Sequence, residues 1–191
     1  MDTKLKNRMI FCLFIAIEII FCFTPLGSIP IGPIVATLSM VPVIIVSLLF
    51  GKREGAFMGL IFAICSFLYW TFILPAYPTA FLFTPFSEFS SYRGNFASLI
   101  ICFLPRILAG FLPALFFKPY GAYVASAVGS LTNTSLVLLF IYIFFRNEYA
   151  AVMGKSIISV LELNILVNGI PECIICVIVC PMIYKVVKKI L

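Results

Sequence analysis

ICFLPRILAG, residues 101–110, sets one arginine directly after a proline in the middle of a long apolar run. An arginine at the centre of a membrane-spanning helix costs about 2.5–3.5 kcal/mol to insert. It therefore faces the interior of a helix bundle and needs a polar group to meet there. The alternative, a buried helix in a soluble domain, has to be weighed against the rest of the chain.

Composition favours the membrane. The 191 residues are 63% hydrophobic and only 10% charged, with a mean hydropathy of +1.21. A soluble domain carries about 25% charged residues. Histidine is absent, which removes the commonest metal ligand and the commonest acid–base group. All seven cysteines lie in apolar runs, where a thiol packs as a small hydrophobe. Cys173-x-x-Cys176 lacks a second half-site and reads as structural. The basic residues flank apolar segments, so the net charge of +6 speaks for membrane orientation and not for nucleic acid.

Working outward from 101–110, six segments have the roughly 20 apolar residues that a spanning helix needs. They cover about 5–23, 33–50, 54–74, 95–117, 121–145 and 157–189, and form one domain. Lys4, Lys6, Arg8, Lys52, Arg53, Lys118, Lys185, Lys188 and Lys189 fall at one end of these spans. Arg93, Arg146 and Lys155 fall at the other. The excess predicts both termini in the cytoplasm. The fold class expected is an all-α integral membrane protein of six helices, multi-pass in the cell membrane.

Depth then sorts the polar residues. At 1.5 Å per residue, Arg106 lies about 16 Å from one surface, Glu172 about 22 Å from the same surface, and Asn133 about 18 Å from the other. All three fall near the middle of a hydrocarbon core about 30 Å thick. Pro105 precedes Arg106 and Pro171 precedes Glu172. Each proline frees a backbone carbonyl one turn earlier, which is tolerated in membranes where it lines a cavity. Asn164, Asn168 and Glu172 recur every four residues on one helix face. The candidate binding set is Arg106, Asn133, Asn168 and Glu172 with Thr132, with Asn95 at the entrance of span four and Thr37 after the Pro/Gly-rich turn TPLGSIPIGP. Glu18 is also intramembrane and is assigned no role.

The connection PAYPTAFLFTPFSEFSSYRG, residues 75–94, is long and aromatic. Loops of this length are usually functional or disordered, and disorder disfavours aromatics. Tyr77, Phe81, Phe86 and Tyr92 are the candidate lid; an aromatic belt at the membrane interface is the alternative. There is no P-loop and no nucleophile with a base. Asp2 is the only aspartate, so no paired-aspartate protease is possible. No catalytic residue, metal or cofactor is expected.

Five stretches carry a resemblance: TPLGSIPIGPIVAT (24–37), PVIIVSLLFGKREGAFMGLIF (42–62), GNFASLIICFLPRILAG (94–110), GSLTNTSLVLLFIY (129–142) and NGIPE (168–172). Together they resemble the substrate-binding S-components of energy-coupling factor (ECF) vitamin transporters, most of all those for pantothenate. The resemblance implies capture of a vitamin from outside. It also implies delivery through a membrane T-component and two cytosolic ATPases. Docking in that family uses small residues on span one, which here correspond to Cys12-x-x-x-Ala16, a departure from the usual alanine pair. Arg106 would take a carboxylate, and Asn133, Asn168 and Glu172 the amide and hydroxyls. The competing expectations are an S-component for another vitamin or precursor (riboflavin, folate, a pyrimidine), a self-sufficient secondary transporter or channel, and a structural membrane protein in which Arg106 and Glu172 only join helices.

Overall fold

The computed structural model describes residues 3–24, 28–31, 34–89 and 91–191, with backbone alone for residues 3, 28–31 and 34–37. Helix α1 spans Thr3–Phe23. A short antiparallel hairpin follows, β1 (Ser28–Ile31) and β2 (Ile34–Thr37), with Ser28 opposite Thr37. Helices α2 (Met40–Phe50) and α3 (Lys52–Leu68) follow, and α3 ends in a π-turn, Tyr69–Ile73. The 75–94 connection holds a 3-10 turn at Ala80–Leu82 and a two-residue hairpin, β3 (Glu88–Phe89) with β4 (Tyr92–Arg93). One helical run, α4 (Phe96–Phe144), is broken at Gly121, whose φ of 81° and ψ of 177° are not helical. Helix α5 is Arg146–Met153. Helices α6 (Ile157–Asn164) and α7 (Ile170–Ile190) are joined by a second π-turn, Ile165–Gly169.

Among the described residues, three runs, Lys52–Ile73, Phe96–Phe144 and Ile157–Ile190, are long and apolar enough to cross a membrane. The two arms of α4 fold back on each other. A Cβ on Gly129 would stand 2.9 Å from Pro113 Cγ, and these residues lie eight positions either side of Gly121. In a straight helix they would be about 24 Å apart.

Helix α2 departs from the sequence expectation. A span was expected over 33–50, but the helix starts only at Met40 and residues 34–37 form a strand. Eleven residues make a rod of about 16 Å, roughly half the hydrocarbon thickness. The apolar composition of 33–39 reads as helix by hydropathy, whereas the backbone of residues 34–37 pairs with β1. Such a short helix is tolerable because protein surrounds it: every residue from Met40 to Leu48 is buried. It packs against α1, α3, α4 and α7 and forms the axis of the bundle.

The closest packing joins α3 to α4. A Cβ on Gly55 would lie 2.2 Å from Gly110 O, and one on Gly59 would lie 2.3 Å from Arg106 O. Glycines four apart let two backbones touch, as is common between helices in lipid. This contact fixes the height of the helical turn that carries Arg106.

Two apolar cores result. One gathers α1–α4 and α7 around Met40–Leu48, Met58, Ala109, Ala125 and Cys176. The other joins the 75–94 connection to the rest of α4, α5 and α6 through Phe81, Leu82, Ile101, Phe145 and Val160. Between the cores, each inner helix turns polar at one level: Arg106 lies between Ile101 and Ala109, Asn133 between Ala125 and Ile141, and Glu172 between Val160 and Cys176.

Candidate functional site

The polar level encloses a cavity of about 610 Å3, within the roughly 300–1,000 Å3 of small-molecule sites. Arg106, Asn133 and Glu172 all line it. The three residues that the sequence places at similar depth thus line one cavity. The remaining wall comes from the end of α1, Ser39 just before α2, Phe62 and Ser66 of α3, the π-turn after α3, and Phe83 of the 75–94 connection.

Pro105 explains how the arginine is held. A proline has no N–H to give the carbonyl four residues back, so Ile101 O lacks its helical donor. Arg106 Nη1 donates to that carbonyl at 2.6 Å. The guanidinium carbon lies 5.1 Å from the Phe83 ring centre and 5.7 Å from that of Phe62. Cation–π contacts are worth about 2 kcal/mol when desolvated, because the ring faces replace lost water. Arg106 is only 6% exposed, and among the described residues its Nε meets no acceptor. It forms no ion pair with a described carboxylate, Glu172 included. The guanidinium is therefore oriented by a carbonyl and two rings, within coulombic reach of Glu172 on the same cavity wall, and its Nε keeps a donor for an anionic ligand.

Asn133 Oδ1 and, one turn earlier, Ser130 Oγ are buried and lack a partner among the described residues. Glu172 is buried at the start of α7, just past the second π-turn, where the Ile170 N–H reaches back five residues to Ile165 O. Pro171 lies at that junction, and its missing N–H accounts for the change of helical register there. The first π-turn swings Tyr69 and Trp70 to the cavity rim. Trp70 stacks on Phe83 with ring centres 5.3 Å apart, so guanidinium, Phe83 and Trp70 are in serial contact. Behind the α1 wall, Cys22 donates to Glu18 Oε1 at 3.3 Å, and Glu18 Oε2 is buried with no partner among the described residues.

Other expected site residues lie elsewhere. Asn95 is the N-cap of α4: its Oδ1 accepts from Ala97 N at 2.8 Å, and its own N–H donates to Ser98 Oγ. Asn168 does not line the cavity. It donates to Asn164 Oδ1 at 3.4 Å, and Asn164 donates in turn to the Tyr149 hydroxyl at 3.0 Å. These asparagines pin α5 to the α6–α7 run. Thr132 is about 100° around the helix from Asn133 and does not line the cavity. The side chain of Thr37 lies outside the described residues.

The described residues of the 75–94 connection pack against α4, α5 and α6, and its four expected lid residues do not line the cavity. Phe81 is fully buried against Phe145, with Tyr92 beside it. Tyr77 packs on Trp70 from outside, and Phe86 is 73% exposed against Phe67. Phe83 is the loop aromatic that reaches the cavity, and nothing in the sequence sets it apart from its neighbours. Trp70, the single tryptophan, was visible only as the end of an apolar span. Cys12 and Ala16 are exposed on the outer face of α1.

The ECF transporter, substrate-specific component family model matches residues 7–184. The pantothenic acid transporter PanT of Lactococcus lactis subsp. cremoris (strain MG1363) is 34% identical over 194 residues, covering 98% of this chain and 96% of that protein.

Proposed function

Since the chain belongs to the family of ECF transporter substrate-specific components, a transport family and not an enzyme family, we propose that it captures pantothenate and hands it to a T-component driven by two ATPases. The observation that carries this reading is Arg106, a desolvated guanidinium held by a carbonyl and two rings, with no carboxylate partner among the described residues. Pantothenate offers a carboxylate, an amide and two hydroxyls. Arg106 takes the carboxylate through Nε and an Nη, in the two-point geometry that guanidinium favours. Asn133 accepts from the amide N–H, and Glu172 accepts from a hydroxyl. The likeness to a relative named for pantothenic acid supports the choice of ligand.

In this reading the chain crosses a prokaryotic plasma membrane six times: through α1, α2 with the hairpin before it, α3, the two arms of α4, and the α6–α7 run. Both termini lie in the cytoplasm, and the cavity opens outward beneath the 75–94 connection. The exposed Cys12–Ala16 face of α1 meets the T-component.

The test is titration of the detergent-purified chain with pantothenate, read by Trp70 fluorescence. Saturable binding is expected in the native protein, with a loss of at least about a hundredfold in Arg106→Ala, since a charge-assisted two-point contact is worth roughly 3 kcal/mol. Native affinity in a correctly inserted Arg106→Ala would refute the site. Co-purification of riboflavin, folate or a pyrimidine in place of pantothenate would refute the ligand. Uptake by this chain alone in vesicles would refute the need for partners.

A further inference from the structure

At the opposite end of the bundle, a separate recess of about 490 Å3 opens where α1, α2, the first arm of α4 and α7 converge. Leu48, Phe50, Phe117 and Tyr184 wall it, and Asn7 and Lys188 stand among its polar groups. The Lys188 ammonium lies 5.4 Å from the Tyr184 ring centre, and that of Lys185 lies 5.7 Å from the Tyr123 ring centre. Both cations meet aromatic faces, with no carboxylate at ion-pair distance among the described residues.

The surrounding charge is lopsided. This end also carries Lys6, Arg8, Lys52, Arg53, Lys118 and Lys189, against Glu54 among the described acids. At the other end Arg93, Arg146 and Lys155 are balanced by Glu88, Glu148 and Glu162. A soluble anion would answer the charge but leave the oily wall wet. An uncharged acyl chain would fill the wall but leave the lysines unanswered. We propose that the recess is a binding site for an anionic phospholipid, its headgroup phosphate at Lys188 and Lys185 and an acyl chain along Leu48, Phe50 and Phe117. Basic pockets between helices at a membrane face bind such headgroups, because the ammonium groups and the lipid share one interface. The proposal is independent of the vitamin cavity and of the identity of its ligand.

The experiment is native mass spectrometry of the full chain, incubated with an equimolar mixture of phosphatidylglycerol and phosphatidylcholine of matched chains. One phosphatidylglycerol retained per protein in clear excess over phosphatidylcholine is expected. Lys188→Gln should cut that preference about fivefold, and Lys185→Gln with Lys188→Gln about twenty-fivefold, in line with the contribution of each lysine near an anionic surface. Lys155→Gln, at the balanced end, should leave it unchanged. Equal retention of the two lipids, or an unchanged preference in the double variant, overturns the proposal. So does displacement of phosphatidylglycerol by millimolar inorganic phosphate, which would assign the recess to a soluble anion.

Discussion

Replacement of Gly59 by alanine tests whether the α3–α4 contact sets the position of the arginine. The added Cβ would stand 2.3 Å from Arg106 O, 2.9 Å from Arg106 C and 3.0 Å from Ile107 Cα. All three neighbours are backbone atoms, so no rotamer change relieves the clash. Ordinary contact begins at about 3.5 Å, and the helices must part by about 1 Å. Overpacking of this kind costs about 1–3 kcal/mol, and a backbone-to-backbone collision belongs at the upper end. Helix propensity acts the other way, since alanine exceeds glycine by about 1 kcal/mol. The net expectation is a loss of about 2 kcal/mol, or a fall of about 4–8 °C in melting temperature for a chain of this length. The separation also draws Phe62, on α3, away from the guanidinium it faces, so pantothenate affinity should fall at least about fivefold. Melting followed by Trp70 fluorescence reads the first effect and ligand titration the second. Phe57→Ala, on the exposed side of the same helix, is the control. A Gly59→Ala protein that melts higher than the native one and binds as well would show that propensity wins and that the contact does not position Arg106.

Phe83→Ala should weaken pantothenate binding about fivefold or more through the lost cation–π contact, whereas Phe86→Ala should not change it; titration of the two side by side separates them. Arg106→Lys keeps the charge and loses the planar fork, so its affinity should lie between those of the native protein and Arg106→Ala. Tyr149→Phe removes the hydroxyl that accepts from Asn164 and should lower stability by about 1 kcal/mol, read as a melting shift of a few degrees. Burial raises the Tyr149 phenol above its ordinary value, more than the Asn164 hydrogen bond lowers it. Its contribution to stability is thus complete below about pH 10 and lost above, as the unfolded phenol ionises first. The alkaline fall in melting temperature should be shallower in Tyr149→Phe.

The residues legible from sequence were those whose chemistry conflicts with lipid. Arg106, Asn133 and Glu172 stood out because hydrocarbon penalises them wherever the exact helix ends fall, and all three line one cavity. Asn95 and Asn168 are polar too, but their groups are taken up locally, by a helix cap and by a neighbouring asparagine. Sequence spacing does not distinguish a spent amide from an available one. The aromatics posed the opposite difficulty. Phe81, Phe83 and Phe86 are alike in composition, yet the first is core, the second faces the guanidinium, and the third is exposed. Only the turn at Ala80–Leu82 separates their directions. The short α2 was hidden for a similar reason: hydropathy reports whether a residue suits an oily surrounding, not whether lipid or protein supplies it.

The break at Gly121 bears on stereochemistry. A Cβ built there meets nothing within 4 Å, so the position has room for a side chain, yet φ of 81° with ψ of 177° is closed to nearly all L-residues. For a D-residue, the same angles mirror the ordinary extended region. Position 121 thus excludes an L side chain by backbone angle and not by bulk. A semisynthetic chain with D-alanine there should keep the two arms of α4 in register, where L-alanine would force them to seek another turn.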